Sequence, residues 1–147
     1  MKKNILGLLL IIGMSANLVA DDRFVRDDIK EVVVDSATNL MWQDNADTKT
    51  GTKTWKEAID YCEDLTFSGY DDWHLPNYNE LWSIVDKERG KPSIYQTFKN
   101  IINSEYWTST TDLHVDTAEW YIDFWGNINN THPKSSVFYV RCVRDNY

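Results

Sequence analysis

The stretch TDLHVDTAEWYIDFWGNINNTH, residues 111–132, holds two sets of side chains whose types and spacing suit binding chemistry. Asp112, Asp116, Glu119 and Asp123 make it dense in carboxylates. Calcium is held by roughly six to eight oxygen ligands, so these four are the candidate calcium site. A second set is Tyr121, Trp125, Asn127, Asn129 and Asn130. A flat ring stacks on the apolar face of a sugar while neighbouring amides bond its hydroxyls, so this set is the candidate glycan site. The competing reading is that Trp125 packs beneath its own loop and the asparagines only shape turns.

Other reactive residue types are scattered. His74, His114 and His132 are far apart and show no metal-ligand spacing. Glu57, Asp60, Glu63 and Asp64 form an acidic run that reads as the solvated face of a helix. No Gly-x-Ser-x-Gly elbow is present, and serines such as Ser109 have no base marked out in the sequence. The two cysteines, Cys62 and Cys142, read as one disulfide in an exported chain, with metal ligation and a reactive thiol as the alternatives.

The start, MKKNILGLLLIIGMSANLVADD, has the pattern of a signal peptide over residues 1–20. Lys2 and Lys3 precede a short apolar run from Ile5 to Ile12, and cleavage is expected after Ala20. A membrane span needs about 20 apolar residues, so the run is too short to remain as an anchor. A periplasmic or secreted protein, without membrane insertion after cleavage, is the expectation. The formal charge is -8, and losing the two lysines takes it to about -10. Such a surface has no cationic patch to displace counterions from phosphates, which excludes nucleic acid as a partner.

The elements that must position these residues can be read from pattern. The 147 residues suit one domain, and seven Trp and eight Tyr supply large rings for its core. Residues 21–30 form a polar lead-in, followed by a domain over 31–147. Val32 to Gln43 reads as a hairpin turning at SATN. Thr54 and Glu57 make a capping box, and Trp55, Ala58, Ile59, Cys62 and Leu65 form one helical face. In DDWHLPNYNELWSIV, Pro76 forces the preceding residues to be extended. Asn77 and Glu80 then open a second helix with Leu81, Ile84 and Val85 inward.

Residues IYQTFKNII read as a short irregular helix, YWTST and AEWYIDF as strands, WGNINNTHPKSS as a polar loop and VFYVRCVR as the closing strand. Alternation along EWYIDFW puts Trp120, Ile122 and Phe124 on the core face and Tyr121, Asp123 and Trp125 on the opposite one. Phe138, Val140 and Cys142 share the face of the last strand that would meet Cys62. The order of elements gives an α+β domain.

Six blocks in order, TNLMW, TWKEAIDYC, DWHLPNYNEL, YWTST, AEWYIDFWG and VRCVR, resemble the Lcl C-terminal domain family over about Asp35 to Arg144. Where the family block carries arginine before Leu-Pro this chain has His74, which would weaken a local salt bridge. The resemblance implies an α+β, C-type lectin-like fold, with two helices flanking a short antiparallel sheet and long irregular loops. That fold is similar to the sulfatase-modifying, formylglycine-generating group. The resemblance also supports a bridge from the first helix to the last strand, which would leave no thiol for that group's oxidising chemistry. The family is associated with adhesion to sulfated and other glycans through a collagen-like surface protein. No Gly-X-Y repeat occurs here, and the Glu-Pro-Asn and Trp-Asn-Asp triplets of calcium-dependent lectins are absent. The expectation is an exported, non-enzymatic binding domain for a glycan or an envelope partner, with no cofactor unless calcium. The alternatives are an enzyme with its site in the long loops, or a structural envelope component.

Overall fold

Three short strands lead the chain of the computed structural model, which describes residues 23–126 and 128–147. They are β1 (Phe24–Asp27), β2 (Val32–Asp35) and β3 (Leu40–Gln43). The expected leader and Asn127 lie outside the described residues. The β2–β3 hairpin forms as its composition predicts, pairing Val33 with Trp42. Asn39 ends its turn at a φ of 56°, a left-handed conformation that asparagine tolerates better than most residues. Strand β1, which falls in the polar lead-in, adds to the outer edge of β2.

Helix α1 (Trp55–Glu63) and helix α2 (Tyr78–Ser83) both begin at complete capping boxes, Thr54 with Glu57 and Asn77 with Glu80. Ala58 and Cys62 are the fully buried residues of α1, and Leu81 is that of α2. Strands β4 (Glu105–Thr111), β5 (Ala118–Asp123) and β6 (Ile128–Pro133) form a second antiparallel sheet. Strand β7 (Val143–Asp145) returns to β3 and completes the first sheet in the order β1-β2-β3-β7.

The segment before β7 ties the two sheets together. Tyr139 N donates to Glu105 O at 3.0 Å and Trp107 N donates to Tyr139 O at 3.1 Å, while Gln43 N donates to Cys142 O at 3.0 Å. Phe138, Val140 and Cys142 face α1 as expected, and Cys62 and Cys142 are joined as a disulfide across 80 positions.

The α+β, C-type lectin-like expectation is overturned. The domain is mostly β, with two antiparallel sheets, helices of nine and six residues, and only about 15% helix. Three local readings failed. The segment IYQTFKNII is not helical, because the amides of Lys99 and Asn100 donate to the Asp44 carboxylate at 2.9 and 3.1 Å instead of to helix carbonyls. The polar loop WGNINNTHPKSS contains β6, an edge strand that keeps polar residues because Asn129 to Pro133 stay exposed or half-buried. Of the closing strand only Val143 and Arg144 are regular, as part of β7, since the residues before them divide their bonds between the sheets.

Asp44 is fully buried and accepts from four donors. Besides the two amides these are Arg26 Nη1 and Arg141 Nη1, the latter at 2.9 Å. Arg141 is itself fully buried, donates also to Gln43 O at 2.6 Å, and lies 5.0 Å over the Phe98 ring. Of the two arginines in VRCVR, Arg144 serves differently, gripping Asp72 with two donors above the ring of Tyr70.

His74 Nε2 lies 3.4 Å from Glu80 Oε2, the same oxygen that caps α2 through Asn77 N at 2.8 Å. An arginine would hold this pair at any physiological pH, whereas histidine holds it only when protonated. Glu80 raises the imidazole pKa above its ordinary 6.5, and burial works in the opposite direction. The folded state therefore binds this proton more tightly than the unfolded chain does. Its stabilisation is complete below about pH 6.5 and is lost as pH rises through the raised value. Urea midpoints should fall across that window, and His74→Arg should flatten the decline. Equal slopes for both proteins would refute the assignment.

Candidate functional site

The β4 ladder is irregular between Trp107 and Thr111, and here the start of α2 is bonded to it. Ser109 N donates to Pro76 O at 2.8 Å, and Tyr78 N donates to Thr110 Oγ1 at 2.9 Å. These bonds hold α2 against the face of β5 that carries Trp120 and Ile122 and that Phe124 continues just beyond the strand. Ile122 and Phe124 are completely buried, but Trp120 is only half-buried. Trp120 lies at the N-terminal end of α2, against Tyr78 only, and is left partly open.

Tyr78 stacks on Trp82 with centroids 5.8 Å apart and meets Trp120 edge-on at 5.7 Å. Asn129 Nδ2, from β6, donates to Tyr78 Oη. The result is a cleft of 660 Å³ lined by Asn77, Tyr78, Asn79, Thr110, Trp120, Asn129 and Asn130. None of these side chains carries a formal charge at neutral pH. A smaller cleft of 340 Å³, lined by Thr110, Thr111, Asp112, Leu113, His114 and Trp120, shares two of those residues. The chemistry such a surface supports is stacking and neutral hydrogen bonding.

The residues expected at a glycan site are divided by this geometry. Asn129 and Asn130 line the larger cleft. Tyr121 does not lie on an open face: it is 8% exposed, packed on Phe138 at 5.0 Å and His132 at 5.4 Å, because that side of β5 covers the second half of the core. Trp125 is exposed beside the turn after β5, with Lys91 Nζ 3.8 Å above its ring. Asn127 lies outside the described residues.

The four carboxylates also separate. Asp112 accepts from His114 N at 2.8 Å, Asp123 accepts from Trp125 N at 2.7 Å, and Asp116 is exposed on the loop between. Glu119 is fully buried, with Lys134 Nζ 2.9 Å from its Oε1; burial raises its pKa and the lysine opposes that shift. Among the described residues no group of three or more His, Cys, Asp or Glu side chains is placed to hold a metal ion. The three histidines stay apart, at Glu80, at the smaller cleft and against Tyr121. On α1, Lys56 and Asp60 make an exposed pair at 2.7 Å, and Glu63 and Asp64 face solvent.

Sequence reasoning missed Tyr78, Asn77, Asn79, Thr110 and Trp120. The alternation that assigned Trp120 to the core face is correct. What it could not supply was which part of α2 packs against Trp120.

Fold and site together define a small, mostly β, disulfide-tied domain with an uncharged aromatic cleft at the junction of its second helix and second sheet. The chain belongs to the Lcl C-terminal domain family, whose model matches residues 31–144. No curated protein matches it. No helix among the described residues is long and apolar enough to cross a membrane.

Proposed function

We propose that this domain binds carbohydrate in the Trp120 cleft and acts by recognition, not by chemistry. The observation that carries this reading is the pairing of Tyr78 and Trp120 with the amides of Asn77, Asn79, Asn129 and Asn130 around one concave surface. Aromatic rings offer area at low entropic cost, and amides donate and accept as sugar hydroxyls do. The bonded cysteines leave no free thiol for redox chemistry. The leader-like start supports an encounter with its ligand in the periplasm or outside the cell.

A glycan array on the oxidised protein tests the proposal, with Trp120→Ala and Asn129→Ala as variants and circular dichroism as the folding control. Trp120→Ala should weaken binding about tenfold or more, equivalent to ~1.4 kcal/mol. Calcium should change nothing, because the acidic residues do not converge. Failure of the folded wild-type protein to bind any immobilised sugar would refute the proposal, and an envelope protein would replace sugar as the ligand.

A further inference from the structure

We propose that the ligand is an uncharged oligosaccharide spanning at least two sugar units across Trp120, and that sulfated or carboxylated chains are rejected. This rests on the carbohydrate reading and narrows it. Two observations carry it.

The first is continuity. The clefts of 660 and 340 Å³ share Thr110 and Trp120, so one indole and one hydroxyl border both spaces. Each volume falls within the range of roughly 300–1,000 Å³ that holds small ligands. A single sugar fills one side only. A chain lying across the indole occupies both, with Leu113, 89% exposed, as an apolar lip on the far side.

The second is charge. Sulfate and carboxylate groups only accept hydrogen bonds, and proteins hold them with the charged donors of arginine and lysine. Among the described residues neither lysine nor arginine lines either cleft. The smaller one instead presents Asp112, and the whole chain carries a formal charge of -8. An anionic chain would surrender its hydration and meet like charge. The lining amides and hydroxyls each offer both donor and acceptor capacity, which suits neutral hydroxyl and N-acetyl groups. Asn129 is held in orientation by Tyr78 Oη, so part of this pattern exists before the ligand arrives.

Isothermal titration of the oxidised protein near neutral pH separates the outcomes. The probes are mono-, di- and tetrasaccharides of glucose and of N-acetylglucosamine, set against heparin and polygalacturonate fragments of matched length. Neutral disaccharides should bind about tenfold more tightly than the monosaccharides, with little dependence on salt. Leu113→Asp should remove that gain, bringing disaccharide affinity down towards that of the monosaccharide. Equal affinity for mono- and oligosaccharides would overturn the two-unit site. Preferential binding of heparin, weakening with salt, would overturn the neutral class while leaving carbohydrate binding standing. No binding of any sugar would refute both readings together.

Discussion

Replacing Asp44 with asparagine should lower the unfolding free energy by about 3–5 kcal/mol, the range for breaking a buried ion pair from one side. Its two oxygens receive Arg26, Arg141 and the amides of Lys99 and Asn100, joining β1, the last segment of the chain and the coil that precedes β4. Asparagine keeps the volume but replaces one acceptor oxygen with a donor. Arg141, fully buried and with its Nε already unpartnered, would then face an amide instead of a carboxylate. The expected result is a large drop in the urea midpoint with an unchanged slope, since the surface exposed on unfolding stays the same. Asp60→Asn, in the exposed pair with Lys56, provides a near-silent control. A midpoint equal to wild type for Asp44→Asn would mean that the coil is held by its apolar side chains alone.

Removing the disulfide should cost about 4 kcal/mol, because it restores loop freedom over 80 positions to the unfolded chain. Cys62 and Cys142 are both completely buried in the cluster that holds Ala58, Trp73 and Trp107. The Cys62→Ala/Cys142→Ala double variant isolates the cross-link from stray thiol chemistry. Reductant should lower the wild-type melting temperature to that of the variant and leave the variant unmoved. A domain of this size has about 5–15 kcal/mol of stability in total, so the loss should be plain in either assay. Equal melting temperatures with and without reductant, after thiol titration confirms reduction, would show that the helix-to-strand packing suffices.

The sequence by itself determined the elements whose causes lie within a few residues. Thr54 with Glu57 and Asn77 with Glu80 set both helix starts, because a capping box is closed by side chains three positions apart. The β-branched run at Val32 and the turn at Asn39 specified the β2–β3 hairpin, and the six blocks specified the family.

Tertiary structure decided what depends on partners remote in sequence. Asp44 takes the amides of Lys99 and Asn100, and so prevents a helix that local pattern favoured. Strand β5 is covered on both sides, which buries Tyr121 although alternation had placed it outward. Trp120 meets only the first residue of α2, Tyr78, and an opening results where periodicity marked core. Periodicity reports which face a residue shares with its neighbours. How far an opposing element extends over that face is settled only when the chain has folded back on itself.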